Sequence, residues 1–228
     1  MRKSLLTTSI LAMALAAPFA QAYQAGDIIV RAGAATVDPH ESSSDLWVGA
    51  LNTDVAGSKA TLNSDTQLGL TGTFMITNHI GIELLAATPF SHDVGVKGMP
   101  GGFAGLNGQL GEIKHLPPTL SVVYYPLDSA SAFQPYAGAG INYTWFFDDK
   151  LSSEAEDKGF SGLDMKDSWG LAAQVGMDYM LTDNLLLNTH VRYIDIETTG
   201  TTSFAGEKVK VDVDVDPLVY MVGLGYKF

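Results

Sequence analysis

The chain ends, at residues 218–228, with the sequence LVYMVGLGYKF, in which two kinds of side chain alternate. One face carries the bulky apolar side chains of Leu218, Tyr220, Val222, Leu224, Tyr226 and Phe228. The other face is mostly small and ends in a charge, with Val219, Met221, Gly223, Gly225 and Lys227. Because successive side chains of a β-strand point to opposite faces, this period of two predicts a strand with two chemically different sides.

Seven further segments of similar length repeat the alternation, at residues 28–36, 67–76, 80–87, 120–125, 137–145, 169–179 and 185–193. Their apolar faces carry aromatic residues near the strand ends, and the opposite faces are rich in Gly, Ala, Thr, Asn and Gln. This pattern favours strands whose bulky side faces lipid and whose small side lines a narrow lumen. A soluble sandwich also alternates, but it would normally bury its bulky face and expose larger polar residues.

The connections between these segments alternate in length. Short connections lie at residues 77–79, 127–133 and 181–184, and long ones at about 38–65, 89–118, 148–167 and 197–216. This asymmetry is typical of bacterial outer-membrane barrels, and closure leaves no strand edge in the hydrocarbon. The prediction is an all-β fold, an eight-stranded antiparallel transmembrane β-barrel with short periplasmic turns and four long extracellular loops.

The N-terminus has the layout of a secretory signal peptide. Arg2 and Lys3 precede a mainly apolar stretch, and Ala20-Gln21-Ala22 is a small-x-small cleavage site. We therefore expect residues 1–22 to be a cleaved signal peptide and residues 23–228 to form a single outer-membrane barrel domain.

Composition excludes several classes of protein. The 228 residues include 13 basic and 25 acidic side chains, for a net charge of -12, and no Cys. Without Cys there is no disulfide scaffold or thiolate centre, and an acidic chain is a poor nucleic-acid binder. We expect no cofactor, no metal and no nucleic-acid partner.

Two of the long connections have a biased composition. Residues 148–167 are acidic, which allows a divalent-cation site, but the spacing of a calcium loop is absent and a solvated acidic loop is favoured. Residues 95–111 are rich in Gly and do not run from a strand into a helix as a phosphate loop does. They are predicted to be a flexible loop.

Several runs of residues resemble the outer membrane protein W (OmpW) family from about Ala25 to the end. They are ELLAATPF at 83–90, HLPPT at 115–119, PYAGAGINY at 135–143, KDSWG at 166–170, QVG at 174–176, DP at 216–217 and YKF at 226–228.

The resemblance implies a location in the outer membrane of a Gram-negative bacterium. It also implies a narrow channel for small, mainly hydrophobic molecules, with lateral exit into the bilayer. The implied partners are outer-membrane lipids and lipopolysaccharide, a small-molecule solute, and the barrel-insertion machinery acting through Phe228. The alternatives are a channel for small amino acids, or a structural or adhesive barrel without transport.

Alternation predicts which side chains line the lumen. The candidate channel-lining and gate residues are Leu85, Arg192, Glu83, Met75, Arg31 and His190. Buried charges should pair, so a polar network is expected to close the periplasmic part, below a greasy vestibule of aliphatic residues near the outer end. The resemblance places the Leu of the family's constriction at Leu85. The position of the family's Trp falls on Arg192, so this sequence departs from the family there, and a guanidinium beside Glu83 would make a polar plug or a weakly selective filter instead of a purely hydrophobic gate.

Pro89 marks a candidate lateral opening. Since proline lacks an N–H, it either breaks the pairing between neighbouring strands and opens a side window to lipid, or it simply ends a strand.

The chain is not expected to be an enzyme. Of its five His residues only His190 is predicted to face the lumen, and neither a G-x-S-x-G elbow nor a paired-His metal motif is present.

Overall fold

The computed structural model describes residues 22–228, so the predicted signal peptide lies outside the described residues except for Ala22. The described residues form a 3-10 helix at Gly101–Leu106, the short helix α1 at Ser153–Asp157, and 17 strands. The strands are β1 (Ile28–Asp38), β2 (Ser42–Ser43), β3 (Leu46–Val48), β4 (Thr53–Val55), β5 (Lys59–Leu62), β6 (Asp65–Met75), β7 (Ile80–Ala87), β8 (Phe90–Lys97), β9 (Gly108–Leu116), β10 (Thr119–Tyr124), β11 (Phe133–Leu151), β12 (Phe160–Met165), β13 (Ser168–Met180), β14 (Leu185–Ile194), β15 (Glu197–Phe204), β16 (Glu207–Asp214) and β17 (Leu218–Lys227).

Eight antiparallel strands close into a barrel. Their order is β10-β7-β6-β1-β17-β14-β13-β11, and the pairing of β10 with β11 completes the circle. The first and last barrel strands form a long seam, in register from Ile29 opposite Lys227 to Asp38 opposite Leu218. The predicted eight-stranded antiparallel barrel is confirmed.

The alternation in the sequence becomes the inside and outside of this barrel. On β7, Leu84 is 53% exposed while its neighbour Leu85 is 3% exposed. Aromatic side chains on the outer face, such as Trp145, Trp169 and Tyr220, are also exposed, as expected where rings lie at the level of lipid headgroups. No helix within residues 22–228 is long and apolar enough to cross a membrane.

The long connections are mostly sheet rather than loop. They contain β2–β5, β8, β9, β12, β15 and β16, and the outer part of β11 continues the barrel wall by pairing with β9. We call this part of the molecule the extracellular extension. A buried apolar cluster fills it, formed by Leu46, Val55, Val96, Met99, Leu110, Ala155, Phe160 and Val209.

The prediction of a flexible loop at residues 95–111 was wrong. This stretch completes β8, forms the 3-10 helix and begins β9. Gly95 allows a close approach of β8 and β9, since a Cβ there would lie 2.6 Å from the Gly108 carbonyl oxygen. Gly98, with a φ of 78°, lies between β8 and the 3-10 helix.

The acidic connection uses its carboxylates to bind the chain's own donors. Asp148 pairs with Lys114 and with Lys150, both at 2.6 Å. Asp167 accepts hydrogen bonds from the Tyr143 hydroxyl at 2.5 Å and from the Phe146 backbone N–H at 3.0 Å. These contacts fasten β11 to its neighbours above the membrane.

Candidate functional site

The six candidate lining residues all point into the barrel. Their exposed fractions are at most 3%, for Arg31, Met75, Glu83, Leu85, His190 and Arg192. Pro89 is exposed on the surface. The lumen therefore holds all the candidate site residues except Pro89.

Arg31 is the centre of a polar network at the periplasmic end. Its Nε and Nη2 donate to the two carboxylate oxygens of Asp178, at 3.1 and 2.6 Å. Its Nη1 reaches Glu83 Oε2 at 3.3 Å and Thr73 Oγ1 at 2.8 Å, and Nη2 also donates to the Tyr125 hydroxyl at 2.8 Å. The paired fork geometry fixes the guanidinium in place.

Arg192 joins the same network from the opposite wall. Its Nη2 donates to Glu83 Oε1 at 2.7 Å and to Gln174 Oε1 at 2.5 Å. Gln174 Nε2 in turn donates to Glu83 Oε1 at 2.8 Å. Two arginines thus face two carboxylates, Glu83 and Asp178, and the buried charges balance, which limits the cost of keeping them out of water.

Tyr23, near the N-terminal end of the described chain, joins this network of Arg31, Glu83, Gln174, Asp178 and Arg192, which we call the polar plug. The Tyr23 hydroxyl donates to Asp178 Oδ2 at 2.6 Å, and its ring meets Tyr125 edge-on at 4.9 Å. Tyr23 is 1% exposed. No periodicity marked this residue, because it lies before the first strand and is placed by tertiary contacts alone.

Tyr136 and Asn188 are two further members that the sequence analysis did not single out. The Arg31 guanidinium carbon lies 5.6 Å from the centre of the Tyr136 ring. Asn188 Nδ2 donates to the Tyr136 hydroxyl at 3.1 Å and to Asp178 Oδ1 at 2.7 Å. Both lie on lumen faces, so the alternation alone could have identified them.

Above the plug the lumen holds a large apolar cluster and, on the side of β10 and β11, the polar side chains of Thr119, Asn142 and Thr144, which hydrogen-bond one another. A buried cluster runs from the barrel into the extracellular extension and includes Ala35, Val37, Phe90, Val94, Ile113, Phe146, Ala172, Ile194, Val213, Val219 and Met221. We call it the apolar column. The plug thus forms a polar floor beneath the apolar column.

Two histidines pack against each other within the extracellular extension, outside the eight barrel strands. His92 Nδ1 donates to the Asn63 carbonyl at 2.6 Å, so His92 Nε2 is left to accept from His115 Nε2, 2.9 Å away. The two imidazole rings stack on each other, and the His115 ring also stacks on Phe90 and contacts Phe146. Burial lowers the pKa of both, that of His115 to about 3.

Acid should therefore loosen the β8–β9 pairing. Since the folded-state pKa of His115 is depressed, stability is full above the ordinary value near 6.5 and is lost as pH falls toward 3. Asp65 favours protonation and offsets only part of the burial effect. We expect β8 and β9 amides to exchange faster at pH 4.5 than at pH 7, after correction for intrinsic rates, by about 2 kcal/mol of opening free energy.

The matched variants for this measurement are His115→Phe and His40→Gln. His115→Phe should remove most of the pH dependence, whereas His40 is exposed and its replacement should change nothing. Equal pH dependence in all three proteins would contradict the assignment.

Pro89 lies where one ladder of the barrel ends. The β6–β7 pairing extends only to Gly69 opposite Ala87. Beyond it, Thr88 N–H still reaches the Leu68 carbonyl at 2.9 Å, and the Asp65 carboxylate accepts from the Ser91 N–H at 2.8 Å. Pro89 thus ends β7 at the site where side-chain contacts replace the regular ladder.

Comparison with known proteins gives consistent matches. The OmpW family model matches residues 24–228. Outer membrane protein W of Vibrio cholerae is 46% identical over 228 residues, covering all of both chains. Outer membrane protein AlkL of Ectopseudomonas oleovorans is 29% identical over 213 residues, covering 90% of this chain and 84% of that protein. The crystal structure of the outer membrane protein OprG from Pseudomonas aeruginosa superimposes with a TM-score of 0.86 at 52% identity, covering 91% of this chain and 98% of that one.

Proposed function

Because the chain belongs to the OmpW family and lies in the outer membrane, we propose that it is a narrow channel for passive uptake of small, mainly hydrophobic molecules. The observation that carries this proposal is the apolar column, which leads inward from the extracellular extension to the level of the plug. Eight strands leave a bore that side chains nearly fill, so a general porin is disfavoured. The family is one of outer-membrane barrels and not an enzyme family.

The polar plug opposes straight passage of an apolar solute to the periplasm. An apolar molecule that continued straight through would have to separate Arg31 from Asp178 and Arg192 from Glu83, whose side chains are at most 1% exposed. Separating such buried pairs costs several kcal/mol, with nothing gained from an apolar solute. We therefore place the exit in the side wall near Pro89, into the bilayer.

The partners follow from this route. The solute enters from the lipopolysaccharide side and leaves into outer-membrane lipid, and Phe228, at the end of the last barrel strand, is the contact for the insertion machinery. Phe228 is 70% exposed on the outer face. A structural or adhesive barrel, and a channel for small amino acids, are the competing outcomes of the experiment.

Leu85→Trp tests the channel, with Leu84→Trp as its matched control. The protein is reconstituted in liposomes whose outer leaflet contains lipopolysaccharide, and uptake of a radiolabelled medium-chain alkane is measured. Leu85 faces the lumen and Leu84 the lipid, so the first variant should slow uptake about tenfold by filling the bore, and the second should not.

The same preparation separates the alternatives. Pro89→Ala, compared with Pro126→Ala in a periplasmic connection, should slow alkane uptake if exit is lateral. Equal rates for Leu85→Trp and the unmodified protein would reject the constriction. Alkane uptake no faster than in protein-free liposomes would reject the proposal; entry of labelled alanine would then favour a channel for small amino acids, and no entry of either solute would leave a structural barrel.

A further inference from the structure

Three polar atoms of the lumen are buried without a hydrogen-bond partner among the described residues. They are Arg192 Nη1, His190 Nε2 and Thr71 Oγ1, on side chains at most 2% exposed. A buried donor or acceptor without a partner costs about 1–3 kcal/mol, so the three atoms need an explanation.

These atoms lie where the polar plug meets the apolar column. Arg192 is paired in register with Val219, and the next lumen-facing residue on β14 is Ile194, both members of the column. His190 is the preceding lumen-facing residue of β14, paired with Met221. Thr71 on β6 is paired with Leu85 on β7. Leu85 is the next lumen-facing residue of β7 after Glu83, toward the extracellular side.

The hydrogen-bonding roles of the three atoms are complementary. Arg192 Nη1 can only donate. His190 Nδ1 donates to Asn188 Oδ1 at 3.2 Å, because the Asn188 amide nitrogen is itself a donor to Asp178, and this leaves His190 Nε2 as an acceptor. The Thr71 hydroxyl can do either. A carboxyl group offers an acceptor to the first atom and a proton to the second.

We propose that this floor binds the carboxyl group of a short aliphatic monocarboxylic acid whose chain lies in the apolar column. One carboxyl oxygen accepts from Arg192 Nη1, the acid proton lies between the other oxygen and His190 Nε2, and Thr71 flanks the group. The acid enters with its proton and adds no net charge, so the balance between the two arginines and two carboxylates is kept. The inference rests on the proposed function, since the acid reaches the floor by the apolar route.

The same geometry disfavours zwitterionic amino acids. An ammonium group would need a free carboxylate oxygen, but each oxygen of Glu83 already accepts two hydrogen bonds. Oε1 accepts from Arg192 and Gln174, and Oε2 accepts from Arg31 and Thr73. The same holds for Asp178: its Oδ1 accepts from Arg31 and Asn188, and its Oδ2 accepts from Arg31 and Tyr23. Binding an ammonium there would break existing bonds.

Binding is measured by NMR of the arginine side-chain nitrogens in lipid nanodiscs, with hexanoic acid, hexan-1-ol and alanine as probes. Hexanoic acid should shift the Arg192 signals and saturate, and hexan-1-ol should bind about tenfold more weakly or worse, because it lacks the carboxyl group. Arg192→Lys keeps a cation beside Glu83 but loses the free guanidinium edge, and Thr71→Val removes one unpartnered hydroxyl. Because Arg192→Lys removes the Arg192 signals, binding to the variants is followed by the signal of a 13C-labelled carboxyl group in hexanoic acid. Both variants should weaken hexanoic acid binding, whereas Thr189→Val, on the opposite face of β14, should not.

Each outcome bears on one proposal. Equal affinity for hexanoic acid and hexan-1-ol, or alanine binding as tightly as hexanoic acid, would overturn carboxyl recognition. Absence of hexanoic acid binding while Leu85→Trp still slows alkane uptake would overturn this inference and leave the channel proposal standing. Hexanoic acid bound normally by Arg192→Lys would show that the acid lies elsewhere.

Discussion

Asp178→Asn should lower the free energy of unfolding by about 3–5 kcal/mol, because it leaves a buried positive charge without its partner. Arg31 and Arg192 would then share the single carboxylate of Glu83, and the Tyr23 hydroxyl would lose an anionic acceptor. The change preserves the shape of the side chain, so the loss reports charge rather than packing. Urea unfolding of the protein in lipid vesicles at pH 7 measures it.

Two further variants make the Asp178 measurement specific. Asp183→Asn changes the same residue type in an exposed periplasmic turn and should cost less than about 0.5 kcal/mol. The double variant Arg31→Leu with Asp178→Leu removes one charge of each sign and should be more stable than Asp178→Asn alone. If Asp178→Asn were as stable as the parent protein, the plug would not be held by charge pairing.

Gly33→Ala should destabilise the barrel by about 3 kcal/mol through a collision at its closing seam. A Cβ at this position would collide with the Val222 carbonyl oxygen and lie 2.5 Å from Gly223 Cα, both backbone atoms that cannot rotate away. Gly33 is opposite Gly223 on one side and Gly69 on the other, so a row of three glycines crosses the wall. The expected readouts are a lower urea midpoint and less of the compact, heat-modifiable form on unheated gels.

Gly72→Ala is the matched control for Gly33→Ala. It lies on the lipid face of the adjacent β6, and a Cβ there meets nothing within 4 Å. This substitution should be neutral or slightly stabilising, since alanine restricts the unfolded chain. If both variants unfolded at the same urea concentration, close backbone approach would not explain the row of glycines.

The barrel was predictable because each of its strands is in contact with two different solvents. Leu84 and Leu85 are the same residue type, yet the period of two assigns one to lipid and the other to the lumen, and the structure agrees. The strands of the extracellular extension were not predicted from this alternation. Their surroundings are water on one side and a small core on the other, so short strands such as β3 and β4 have no long alternating pattern.

The candidate site was predictable only in part. Alternation placed Arg31, Glu83 and Arg192 inside, but could not say which charge pairs with which across the lumen. The contact of Arg192 with Glu83 joins β14 to β7, which are not neighbours in the sheet. Tyr23 and the His92–His115 pair depend on such tertiary contacts as well.

The length of β11 separates the dehydration of an apolar solute from its entry into the bilayer. Its 19 residues are nearly twice the roughly 9–11 residues that a tilted strand needs to cross the bilayer. The strand thus raises a dry, oily interior well above the lipid surface. A greasy molecule entering at the top would shed its hydration shell there, among protein side chains, before it meets any acyl chain.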